Sequence, residues 1–243
     1  MRFALVVFIG FALLLNLEVS AKENKKGDRI LIFSLTTSYR HKSIKEGIVA
    51  IKKLAVENNF EVDTSENVAA FTKENLRRYK TLIFLNPTGS NVFSEEQKQA
   101  LKTYINNGGG LLGIHAATDF CFEWEWYGKM IGAFFANHPK VQQAKLISLR
   151  PKDKLMKGIP ENWLHTDEWY NFKYFNKDVT VLMKVDETSY QGGTMNNEHP
   201  IVWYHQFEGG RVFYTGLGHT AEAYSDPIFL KQLLNGLKWT MRK

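Results

Sequence analysis

The chain has 243 residues, a formal net charge of +6, 44% hydrophobic and 23% charged residues, and a single cysteine. That length and composition fit one α/β domain with a sizeable core. A lone cysteine excludes an internal disulfide and any cysteine-rich zinc site, and the scattered lysines and arginines form no basic stripe with interleaved aromatics, so nucleic acid is not an expected partner.

Residues 1–21 read as a signal peptide. Arg2 supplies the positive start, residues 3–17 a nearly unbroken apolar run, and Val19-Ser20-Ala21 the small residues for cleavage. The run is short for a membrane span, residues 22–28 are a polar flank, and no cysteine follows for lipid attachment. The expectation is an exported protein, periplasmic or secreted, with no stable membrane anchor after cleavage. Residues 29–243 are expected to form one domain.

A first strand is predicted over residues 29–35, followed by a polar loop over 36–42. Ser43 with Glu46 has capping-box spacing, and the helix behind it carries Ile44, Ile48 and Ile51 as an apolar stripe. A short strand over 60–63 and a brief helix over 72–79 come next. The apolar run 81–85 predicts a buried strand ending at Asn86-Pro87. Ser94 with Gln97 is a second capping box, opening a helix that the glycines at 108–110 stop. Residues 110–114 are a fourth strand, apolar throughout, as buried parallel strands are.

Beyond Asp119 the pattern loosens. Residues 122–135 are aromatic and partly helical, 141–149 and 166–172 look extended, and 179–184 is a further strand. Residues 201–206 and 211–215 flank Phe207-Glu208-Gly209-Gly210 as a β-hairpin. Asp226-Pro227 gives an N-cap with proline at the first helical position, and the last helix runs to Trp239. Strands and helices alternating at this spacing predict βαβ units and a mostly parallel sheet.

In such a sheet ligands bind at the carboxyl ends of the strands. Those ends carry Arg40 and His41, then Asn86, then His115 and Asp119, then His219, so three of seven histidines share one predicted edge. His115 is the sharpest of them, because the glycine-rich approach and the small Ala116-Ala117 exit leave space beside its ring. It can act as general base, metal ligand or hydrogen-bond donor. Asp119 lies four residues on, where a helical turn would let it orient the imidazole; a plain capping role fits equally. Arg40 and His41 precede a helix and are read as binding substrate oxygens, with Asn86 beside them. No His-Glu-x-x-His motif occurs, yet His115, His138, His219 and a carboxylate leave room for a divalent metal. Cys121 lies too far past the strand end for a nucleophile on the turn. Trp124 and Trp126 fit a buried helix better than a sugar platform.

Taken in order, Ser38-Tyr39-Arg40-His41-Lys42-Ser43-Ile44, the stretch from Gly108 to Asp119, Asn137-His138-Pro139, Asp167-Glu168, and Gly209 through His219 resemble the ThuA-like family, named for trehalose utilisation. The resemblance implies a flavodoxin-like, class I glutamine amidotransferase-like three-layer fold with a mostly parallel sheet plus a C-terminal β-hairpin. In that fold the strand-to-helix elbow carries a cysteine within Gly-Ile-Cys, where this chain has Gly113-Ile114-His115. Glutamine amidotransferase chemistry by that thiol is thereby excluded. The resemblance further implies an enzyme of carbohydrate catabolism, acting on disaccharides or their keto derivatives as hydrolase, lyase or isomerase. His115, Asp119 and Glu168 are its expected catalytic residues, and Arg40, His41, Asn86, His138, Trp169 and His219 its substrate contacts. A non-catalytic carbohydrate-binding protein and a metal-dependent hydrolase of another small molecule are the alternatives.

Overall fold

A computed structural model describes residues 27–243; the expected signal peptide and most of the polar flank lie outside the described residues. The first half alternates strictly: β1 (Asp28–Phe33), α1 (Ile44–Glu57), β2 (Phe60–Ser65), α2 (Lys73–Leu76), β3 (Thr81–Leu85), α3 (Glu95–Asn106) and β4 (Gly110–Ile114). The second half is richer in strands: α4 (Glu125–Ile131), β5 (Phe134–Asn137), β6 (Gln142–Ser148), β7 (Asn162–Asp167), β8 (Asn171–Lys173), β9 (Thr180–Val185), β10 (His199–Phe207), β11 (Gly210–Thr215) and α5 (Pro227–Thr240). Among the described residues no helix is long and apolar enough to cross a membrane.

One nine-stranded sheet runs in the order β2-β1-β3-β4-β11-β10-β9-β6-β7, and β5 pairs with β8 separately. From β2 to β11 every pairing is parallel; from β11 to β7 every pairing is antiparallel. The sheet is therefore mixed, with a parallel core, and the expected hairpin begins an antiparallel wing. The hairpin turn places Glu208 at φ 45° and Gly209 at φ 93°, the left-handed pair that matches strand twist in two-residue turns. Phe213 packs where Gly236 of α5 has no side chain, and Gly210 meets Ile105 of α3. Neighbouring residues of β11 thus point to opposite faces, with α5 on one face and α3 on the other.

Of the two expected capping boxes, one forms. Ser94 Oγ accepts from the Gln97 amide and the Gln97 side chain accepts from the Ser94 amide. Ser43 makes no side-chain cap. Its hydroxyl instead donates to the Gly218 carbonyl at 3.0 Å and accepts from Asn86 Nδ2 at 3.1 Å. A buried hydroxyl with two distant partners in reach has no need of the local amide. The extended stretch expected over 166–172 is two strands of different sheets, and the break between Asp167 and Asn171 delivers Glu168 to the sheet edge.

His199 and His205 are buried away from that edge, with Nε2 donating to the Tyr170 and Met130 carbonyls. Burial holds both below the ordinary imidazole value, outweighing the bonds that favour the charged form. The unfolded chain then binds more protons below about pH 6.5, so this stability is present above that pH and is lost on acidification. The thermal midpoint should fall from about pH 7 to about pH 5, with each histidine contributing at most about 1.4 kcal/mol per pH unit. A calorimetric series across that range checks it; a midpoint that rises on acidification contradicts the assignment.

Candidate functional site

The parallel strands end in loops tied to one another. Thr36 bridges Thr88, and Gly89 bridges Phe120; the Thr88 hydroxyl donates to the Tyr39 carbonyl at 2.7 Å. Asn86 is fully buried beneath these loops, its amide donating to Ser43 Oγ and to the Gly218 carbonyl. Asn86 is thus the floor of the edge rather than a group exposed for substrate.

His115 begins the tight turn after β4 at φ 46°, a left-handed backbone that a side chain other than glycine tolerates only when its surroundings enforce it. Here Tyr214 and Thr118 hydroxyls donate to its carbonyl at 2.8 and 3.2 Å. Gly113 makes room for the turn, since a Cβ there would stand 2.5 Å from Ile131 Cδ1. The imidazole is fully buried, and Tyr170 packs over it at 4.0 Å between ring centroids. His115 Nδ1 lies 2.8 Å from the Gly216 carbonyl. A carbonyl only accepts, so Nδ1 donates to it, and in the neutral ring Nε2 keeps a lone pair. The orienting partner is therefore the Gly216 carbonyl. Asp119 does not orient His115: the turn is a single 3-10 turn over His115–Thr118, and Asp119 closes it.

Glu168 stands at the centre. Its Oε2 is 3.5 Å from His115 Nε2 and 3.1 Å from His219 Nδ1, and its Oε1 is 2.9 Å from His138 Nδ1. His41 completes the group, its ring centroid 5.0 Å from that of His115 and 5.2 Å from that of His219. One ligand atom from each of His41, His115, Glu168 and His219 falls within 4.8 Å of the others. Buried nitrogens His41 Nδ1, His115 Nε2 and His219 Nδ1 make no hydrogen bond.

Charge follows from this crowding. Burial raises the Glu168 carboxyl, but contact with His115 and His219 outweighs it and holds the group ionised, well below the usual carboxylate range. Burial and the neighbouring histidines push His41 down to about 2, so it stays neutral. His219 is lowered by burial and raised more by Glu168, for a net rise. Burial pushes Asp119 up to about 6, partly countered by His115 and His138.

The key residue that the sequence pattern leaves unassigned is Asp167. It is fully buried, and its carboxylate accepts from the amides of Glu168 at 2.9 Å, Gly218 at 2.8 Å and His219 at 3.1 Å. It joins the last residue of β7, on the far rim of the sheet, to the loop after β11. Two of the central side chains are thereby set by one anion. In the sequence it is marked as half of the Asp167-Glu168 motif, with nothing to show what it does.

Two expected contacts, Arg40 and Trp169, lie elsewhere. Arg40 turns outward, its guanidinium held by Glu66 and Thr36. Trp169 is fully buried and donates to the Gln142 carbonyl, so it is a core residue. His138 is half-exposed at the mouth and stands outside the four-residue group, whose third histidine is His41. Cys121 is buried, and burial pushes its thiol up, as an unreactive cysteine requires. A separate hollow of about 480 Å³, lined by Lys73, Arg77, Arg78 and Lys80, opens beside Gly108 and Gly109 at the other end of the parallel strands.

A parallel sheet whose elbow residue is thrust into a left-handed turn, with imidazole where a thiol would stand, defines a class I glutamine amidotransferase-like scaffold without the amidotransferase nucleophile. The chain belongs to the ThuA family, described as trehalose utilisation, whose model matches residues 29–240. A protein described as ThuA-like from Bacteroides uniformis superposes with a TM-score of 0.74 at 24% identity, covering 91% of this chain and 94% of that one. Another from Parabacteroides merdae gives 0.74 at 19% identity, over 89% and 90%. A protein described as a GMP synthase component from Thermoplasma acidophilum gives 0.53 at 11% identity, over 88% and 96%. At these identities the likeness is one of fold. Among curated proteins the sequence has no match.

Proposed function

We propose that the protein is an exported enzyme of carbohydrate catabolism, acting on a disaccharide or its keto derivative by proton transfer. The observation that carries this reading is the buried Glu168 carboxylate ringed by His41, His115 and His219, with His138 against its outer oxygen. An imidazole backed by a carboxylate is a general acid–base pair, and His138, half-exposed at the mouth, is the member that can meet substrate. The buried imidazoles offer polar atoms to a substrate oxygen. Tyr39, 57% exposed and edge-on to His41, offers an apolar ring face of the kind that sugars cover. The family description, trehalose utilisation, favours the same substrate class. Export rests on residues 1–21 and is checked by N-terminal sequencing of the protein recovered from the periplasm or medium.

Incubation with a panel of disaccharides and their keto derivatives, read by mass spectrometry, should reveal a product from at least one. His115→Ala should then lower turnover about 10²-fold or more, because it removes a buried imidazole that faces Glu168. Saturable binding with no product from any sugar would support a binding protein in place of an enzyme.

A further inference from the structure

We propose that His41, His115, Glu168 and His219 form the binding site of one divalent transition-metal ion. The proposal rests on the cluster as the functional centre described above and adds its cofactor; it does not depend on which sugar is the substrate.

The donor set has the composition and spacing of a single-ion site. Three imidazoles and one carboxylate present one ligand atom each within a 4.8 Å sphere of mutual distances. Ligands at about 2.0–2.1 Å from one ion lie about 3.4 Å apart in a tetrahedron and about 4.2 Å apart when opposite. From a 4.8 Å separation, closing the set around an ion takes about 0.6–1.4 Å, shared between two side chains.

Two of the nitrogens converge on the carboxylate without bonding to it. His115 Nε2 and His219 Nδ1 point at the same carboxylate oxygen, at 3.5 and 3.1 Å, yet neither makes a hydrogen bond. His115 is fully buried, and its proton sits on the other nitrogen, held by the Gly216 carbonyl. In the neutral ring its Nε2 lone pair faces a carboxylate oxygen with no donor between them. Buried polar atoms are nearly always satisfied, and a bound ion is one of the explanations for exceptions. A proton can serve one of these contacts. Protons on all three rings would crowd like charges around one carboxylate. A single divalent ion satisfies all of them at once.

The groups around the ligands hold them in place. A metal-bound histidine characteristically donates its other nitrogen to a carbonyl or carboxylate, which fixes ring and tautomer; His115 does so to Gly216. Asp167 fixes the backbone of Glu168 and His219 through three amides. The outer oxygen of Glu168 faces His138, leaving Oε2 for the ion. Imidazole donors with one carboxylate suit zinc, cobalt, nickel or manganese rather than calcium or magnesium. Expansion beyond four ligands would admit a pair of substrate oxygens such as a hydroxy-ketone or diol.

The test uses the full-length mature protein stripped by chelator and titrated with Co²⁺ and Zn²⁺. One equivalent of Co²⁺ should bind, with a visible d–d spectrum that one equivalent of Zn²⁺ abolishes. His219→Ala and Glu168→Gln should each weaken binding at least about 100-fold, while His138→Ala should keep one equivalent. Circular dichroism and melting of the metal-free variants establish that they fold. Failure of folded wild-type protein to bind either ion, or unchanged binding in a His115→Ala/His219→Ala double variant, overturns the proposal. Sugar turnover that survives complete metal removal also overturns it while leaving the acid–base reading intact. Metal binding without turnover of any sugar leaves the metal site standing and removes the carbohydrate reading.

Discussion

Glu168→Gln should lose turnover by about 10²–10⁴-fold while remaining folded. Glutamine keeps the shape of the side chain and removes only its charge. That charge is the shared counterpart of His115, His138 and His219. Without it His138 loses the charged partner 2.9 Å from its Nδ1, and the buried imidazoles face a neutral amide. Glu168→Asp, which keeps the charge but draws it back by one methylene, should recover part of the loss. The measurement is kcat on the sugar that the panel identifies, with circular dichroism alongside. A Glu168→Gln protein retaining more than about a tenth of wild-type turnover would falsify the central role given to this carboxylate.

Asp167→Ala should have the largest effect on stability. The substitution strands three amides in a fully buried place, those of Glu168, Gly218 and His219. Breaking such a buried, charge-assisted set costs on the order of 3–5 kcal/mol. For a domain of this size each kcal/mol moves the thermal midpoint by about 2–4 °C, so a fall of roughly 6–20 °C is expected. Asp167→Asn should lie between, since one carboxamide oxygen can still accept while its NH₂ meets an amide donor. The loop after β11 also depends on Gly218, at φ 108° with Tyr224 Oη 2.8 Å from where a Cβ would sit, so the chain has little freedom to find other partners. A midpoint within about 2 °C of wild type for Asp167→Ala would show that solvent replaces the carboxylate and that the clamp is not needed.

Much of the architecture is legible in the sequence. β3 and β4 occupy the residues expected of them, because both are buried on two faces and read as unbroken apolar runs. The Ser94 box and the Asp226–Pro227 helix start form as their local chemistry requires. The antiparallel wing is harder to read, since its strands are short and only partly alternating. The break after Asp167 passes for continuous strand because nothing local marks it.

At the site, His41, His115, His138, Glu168 and His219 all stand out in the sequence, yet their groupings and some neighbours do not. Arg40 and Trp169 are instructive. Each adjoins a central residue, His41 or Glu168, and each turns away, to Glu66 and to the Gln142 carbonyl. Both pairs lie in irregular segments outside the named strands, where adjacency in sequence does not by itself put two side chains in one cleft. Ser43 shows the complementary case, where a residue with every local reason to cap its helix serves Gly218 and Asn86 instead.

The family resemblance implies that an imidazole replaces a thiol at Gly113-Ile114-His115, while the sequence by itself determined the parallel core and the position of that elbow. Those follow from apolar patterning, glycine placement and residue identity, which act over a few neighbouring positions. Only the tertiary structure decided that Glu168 arrives from the far rim of the sheet to face three histidines, and that Asp167 holds it there. That meeting joins β7 to the loop after β11, some fifty residues apart, as the span from Asp167 to Gly218 shows. Its physical basis is the burial of one anion among amides from both segments, which no local pattern encodes.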